Sequence, residues 1–129
     1  MNDLFLTTYV MNTDEDCSIV QDIFIGYNNK LSLIIRLEQS DYTNDEQCHL
    51  DLVVKKEAAY RLSQRLKVSM VQLPERLWRE VSDYGDIINA DFSDAASCLC
   101  DLRDFIERYG CRYKVKRKPA NKDFYHWIV

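Results

Sequence analysis

Apolar residues recur at every second position up to Val54, at helical spacing from there to Tyr109, and at every second position again after Gly110. A period of two belongs to half-buried strands, and steps of three and four belong to amphipathic helices. The chain therefore reads as strands, then helices, then strands.

Leu4 to Met11, rich in Leu, Phe, Thr, Tyr and Val, reads as a first strand, and an acidic loop from Asn12 to Asp16 follows it. A second strand runs from Ile19 to Tyr27, with Ile19, Ile23 and Ile25 on one side. Asn28-Asn29 then offers two residues that tolerate the positive φ of a tight hairpin turn. In the third strand Leu31, Leu33, Ile35 and Leu37 face the core, while Ser32, Arg36 and Glu38 face water. A polar loop, Gln39 to Gln47, leads to a fourth strand with Cys48, Leu50, Leu52 and Val54 inward and His49 and Asp51 outward. Together these predict an antiparallel meander with one wet face.

Beyond Lys55 a first helix is expected, with Ala58, Leu62 and Leu66 on its inner face. Leu73-Pro74-Glu75 starts a second, since proline is accommodated in a first helical turn. Its inner face is Leu77, Trp78, Val81 and Tyr84, and Gly85 ends it. Asp91 or Ser93 caps a third and longest helix, whose stripe is Ala95, Leu99, Leu102, Ile106 and Tyr109, with Gly110 at the C-cap. Cys111 to Lys118 and Asp123 to Val129 read as two strands around a turn at Pro119 to Lys122. The predicted architecture is one α+β domain over residues 1–129, a four-stranded meander plus a C-terminal hairpin, with three helices packed on one face.

A chain of 129 residues is long enough to bury a core without staples. Its five cysteines cannot all pair within one chain, and reduced, mostly buried thiols in a cytosol fit better than a disulfide framework. The N-terminus carries an acid, Asp3, where a signal peptide needs bases, and no apolar run approaches the ~20 residues that span a bilayer. A soluble, cytoplasmic protein with no membrane partner is expected. Charge is uneven: residues 1–60 hold eleven acids and four bases (−7), and residues 61–129 hold ten acids and thirteen bases (+3). The net charge of −4 argues against a general nucleic-acid binder, while the asymmetry allows a local basic patch or self-association.

Tyr60 to Leu77 resembles a DNA-binding helix-turn-helix in spacing. Against it, Lys67 stands where glycine is favoured, Pro74 falls within the would-be recognition helix, and the flanks read as strands. The basic face Arg112, Lys114, Lys116 and Lys118 is the one localised charge feature; in a strand its members repeat every ~6.6 Å, near phosphate spacing. Tyr113 falls on the opposite face. The same row is explained more simply by acids across the strands, such as Glu38 or Asp51, or by charge that protects an edge from aggregation.

Cys98 and Cys100 point about 200° apart on a helix and cannot share a metal ion. Asp94 and Asp101 lie two turns apart, too far for one proton or ion, and Asp104–Arg108 and Arg103–Glu107 are spaced for surface pairs. The histidines, His49 and His126, lack any local catalytic motif, and no phosphate loop or nucleophile elbow appears. No catalytic residue, metal ligand or cofactor is assigned. Phe124 to Val129 either docks as a strand or offers an aromatic segment, with Trp127, to a partner. By elimination the expected role is a non-catalytic accessory or inhibitory protein acting through protein–protein contacts or as a homodimer. A regulator that contacts nucleic acid through residues 112–118 is the alternative.

Overall fold

The computed structural model describes residues 4–11, 19–43, 46–81 and 92–118. Five strands lie in chain order across one antiparallel sheet: β1 (Phe5–Met11), β2 (Ile19–Tyr27), β3 (Leu33–Asp41), β4 (Glu46–Val54) and β5 (Lys114–Lys118). Between β4 and β5 come α1 (Lys56–Arg65), α2 (Leu73–Glu80) and α3 (Phe92–Arg108). This is the α+β architecture that the change of rhythm predicts. The last expected strand, residues 123–129, lies outside the described residues, as do Tyr84, Gly85 and Asp91.

β2, β3 and β4 pair without a break, nine positions at each junction. Side-chain alternation then places Ile23, Ile25, Tyr27, Leu33, Ile35, Leu37, Leu50, Leu52 and Val54 on one face, all buried. The helices fill that face with Leu62, Leu73, Leu77, Leu99, Leu102 and Ile106. α2 packs on β1 and β2, and α3 packs on β2 and β3. Among the described residues no helix is long and apolar enough to cross a membrane.

β1 is less regular. Its register with β2 shifts between Phe5 and Thr8 and again between Tyr9 and Met11, and Leu6 in the first shift has φ 54°. Gly26 makes the close approach of β1 feasible: a Cβ there would meet Thr7 Oγ1 at 2.8 Å and the Phe5 carbonyl oxygen at 3.0 Å.

Helix ends follow local chemistry. α3 closes on Gly110 at φ +71°, whose N–H donates to the Glu107 carbonyl at 2.9 Å while the Cys111 N–H donates to Ile106 at 3.0 Å, a Schellman motif. α1 ends the same way on Lys67 at φ 59°, a lysine in the conformation that glycine favours. Pro74 stands in the first turn of α2. Residues 66–72 separate α1 from α2, more than the three or four of a helix-turn-helix, so that motif does not form. Ser93 lies inside α3 and does not cap it.

Four other expectations are corrected. The turn after β2 takes its positive φ at Leu31 (62°), not at Asn28 or Asn29; Asn28 acts through its side chain, whose Oδ1 accepts from the Lys30 and Ser32 N–H groups at 3.0 Å each. Leu31 therefore belongs to the turn and is exposed, instead of leading the core face of β3. The loop between β3 and β4 shrinks to residues 42–45, since Gln39, Ser40 and Gln47 all pair in the sheet. The face expected to be wet is dry at its centre: Phe24, Ile34, Arg36 and Asp51 are all buried there.

Cys48, Cys98, Cys100 and Cys111 are free thiols, and all but Cys100 are buried. Leu102 is fully buried between α3 and the sheet, in one cluster with Leu33, Ile35 and Leu99. Leu102→Ala should cost ~2–5 kcal/mol in chemical denaturation. A loss under about 1 kcal/mol would mean that α3 does not cover the sheet.

Candidate functional site

Among the described residues β5 is an edge strand of the sheet, and its side chains alternate between exposed lysines (Lys114, Lys116, Lys118) and half-buried Val115 and Arg117. Lys114, Lys116 and Lys118 stand opposite Val53, Asp51 and His49 of β4. Arg112 is also exposed but precedes the strand. The predicted row is therefore extended over three of its four members. Trp127 lies outside the described residues. Tyr113 turns the other way, and its hydroxyl donates to Glu107 Oε1 of α3 at 2.6 Å.

The acid in register with Lys116 is engaged by another base. Asp51 is held by Arg36, which donates from Nε to Oδ1 at 2.7 Å and from Nη2 to Oδ2 at 2.9 Å. Both residues are nearly enclosed, at 6% and 7% exposure. This two-pronged geometry satisfies both carboxylate oxygens with one guanidinium. Glu38 accepts from Gln47 at 2.9 Å, within its own strand pair. Among the described residues, none of Arg112, Lys114, Lys116 and Lys118 makes an ion pair.

His49 sits beside this pair, its Nε2 3.7 Å from Asp51 Oδ2, in register with Glu38 and Lys118. Burial holds its pKa below the usual histidine value; Asp51 and Glu38 pull upward, and Arg36 and Lys118 push down. No serine or cysteine of the described residues is hydrogen-bonded to it. Burial pushes the Cys98 thiol up to about 12, with Asp101 adding to the effect, and raises Cys100 as well. Thiols held protonated are poor nucleophiles and poor metal ligands. Among the described residues no three His, Cys, Asp or Glu side chains are grouped to hold a metal ion. On α3, Asp104 pairs with its neighbour Arg103 at 3.2 Å and not with Arg108, which lies 5.5 Å over the Phe105 ring.

Two hollows flank α1, and neither was legible in the linear pattern. One, of about 470 Å³, is mainly apolar, lined by Leu6, Tyr27, Leu31, Tyr60 and Met70 with the charged Lys56, Glu57 and Arg61 on α1. The Tyr27 hydroxyl donates to the Met70 carbonyl at 2.5 Å, and burial raises its pKa. The second, also about 470 Å³, lies between α1 and the start of β5 and is lined by Lys55, Arg61, Arg112 and Lys114 with Glu57 as the single acid. Glu57 and Arg61 border both. Leu6 and Leu31 are left-handed, a conformation costing on the order of 1–3 kcal/mol in a leucine. Nothing local marks Arg61 as a partner of Arg112; only the return of β5 alongside β4 brings them to one place.

No protein-family model, curated protein or solved structure matches this chain.

Removing one member of a buried ion pair strands the other. Asp51→Ala should destabilise the fold by ~3–5 kcal/mol, and the double apolar replacement Arg36→Met/Asp51→Leu should cost less than that single change. Equal losses in denaturant melts would show that the pair carries no such coupling. The second expectation concerns acid. Burial lowers the His49 pKa in the folded state while the unfolded chain takes up a proton near pH 6.5, so its contribution is complete above that pH. It is lost as pH falls from there toward the lower folded value. His49→Gln should flatten the fall in denaturation midpoint between about pH 7.5 and 5.5; an unaltered slope would place the cause elsewhere.

Proposed function

We propose that this chain is a non-catalytic accessory or inhibitory protein that docks an acidic protein surface through the basic row of β5. One observation carries the reading: Asp51, the acid in register with Lys116, is committed to Arg36, so the row keeps its charge. An exposed lysine row on an edge strand also blunts edge-to-edge aggregation, and the two roles are compatible. Uncompensated charge of one sign steers partners of the opposite sign and sets association rate and specificity.

The sequence itself offers one acidic partner. Residues 1–60 carry −7, so a second copy is a partner of opposite charge for β5. Nucleic acid, the alternative, has less support: Tyr113 is turned away and tied to Glu107, leaving no aromatic platform on the basic face among the described residues.

The test is charge reversal by Lys116→Glu with Lys118→Glu, two exposed changes that leave the fold intact by circular dichroism. We expect self-association in sedimentation, or protein partners captured from the native host, to be lost in the variant. Unchanged partners and unchanged oligomeric state would overturn the reading. Wild-type retention on mixed-sequence DNA that falls steeply with salt, and is abolished in the variant, would replace it with the nucleic-acid alternative.

A further inference from the structure

We propose that the two hollows beside α1 form one bipartite site for an anionic amphiphile, a small molecule with a phosphate or carboxylate head and a hydrocarbon tail. This is independent of what docks on Lys116 and Lys118.

The tail side is built at a conformational cost. Leu6 and Leu31 come from different strand ends, yet both adopt positive φ (54° and 62°) and both stand on the rim of the apolar hollow. Neither side chain is hidden by that strain: Leu6 is 48% and Leu31 39% exposed, with Tyr60 at 53% beside them. Glycine or asparagine would relieve the backbone at either position. At the second, Asn28 already supplies the hydrogen bonds of the turn, so leucine is not needed to form it. Strain of this kind persists where the side chain serves something other than folding. Here it keeps two leucine side chains on a hollow whose other lining residues include Tyr27, Tyr60 and Met70. The Tyr27 hydroxyl is already bonded to Met70, so the hollow presents no free polar demand from it.

The head side is cationic. Lys55, Arg61, Arg112 and Lys114 face Glu57 alone, four positive charges against one. No acid of the described residues pairs with Arg61, Arg112 or Lys114. The first turn of α1 adds its partial positive charge, with no side chain capping it. Arg65, behind Arg61, is spent on the Tyr109 carbonyl and braces the wall.

Because Arg61 and Glu57 border both hollows, the two are adjoining halves of one surface. Each has the volume of a small-ligand pocket, about 470 Å³. A neutral apolar molecule would leave the cations unanswered, and inorganic phosphate would leave the apolar half in water.

Dodecyl phosphate below its micellar concentration is the probe, measured by calorimetry on the full chain against inorganic phosphate and dodecyl maltoside. The expected result is one equivalent bound at least ~10-fold more tightly than either comparator. Arg61→Gln with Arg112→Gln should cut that affinity ~10-fold or more while leaving maltoside binding unchanged. Leu31→Asn suits the left-handed turn and should hold or raise the melting temperature, yet weaken dodecyl phosphate. Dodecyl phosphate binding no tighter than either comparator would overturn the site, as would affinity that survives both variants. Binding to phosphatidic acid vesicles without binding the monomeric probe would also overturn it, assigning the anion to a membrane surface.

Discussion

The pairing of β2, β3 and β4 is unbroken over nine positions at each junction, and the rest of the molecule inherits its register. Because side chains alternate, a slip of one residue would turn Leu33, Ile35 and Leu37 away from the helices and bring Ile34, Arg36 and Glu38 into the core. The apolar surface that α2 and α3 cover would be exposed, and a guanidinium would be buried among leucines. Such an alternative costs far more than the few kcal/mol by which a domain of this size is stable. The register is therefore fixed by the core, and what happens on the opposite face is a consequence.

That consequence is electrostatic. The register that buries Leu33 and Ile35 also sets Arg36 directly opposite Asp51, where the two close a buried ion pair. Burial of Phe24 and Ile34 on the same face removes water from the pair and makes either partner expensive to lose. The next strand then meets an acid that is already engaged, and His49 is left between Glu38 and Lys118 with burial favouring its neutral form. The charge on β5 thus traces back, through two junctions, to the packing of leucines on the other side of the sheet.

α1 organises the second unusual surface. It begins directly after β4, so Lys55 and Glu57 are held at the sheet's end, beside Arg112 and Lys114, where β5 runs back antiparallel. Its other flank lies against the turn after β2 and the irregular start of β1, which bring Leu31 and Leu6. One short helix thereby borders both an apolar hollow and a cationic one, which meet along its Glu57 and Arg61.

The sequence by itself determined the order of the described strands and helices and, Leu31 apart, which side of the strands meets the core. Period two and period 3.6 are local properties, as are the proline in the first turn of α2 and the glycine that closes α3, and each acts through backbone sterics or nearby hydrogen bonds. It could not disclose that Asp51 belongs to Arg36 and not to Lys116, because both stand across the strand from it and only competing geometry and burial choose between them. Nor could it place the positive φ on Leu31, since Asn28 can serve a turn through its backbone or its side chain, and closure of the hairpin decides which. Arg61 and Arg112 meet because the chain returns after three helices to pair with β4. Such juxtapositions depend on the free energy of the whole packed domain, which no window of residues contains.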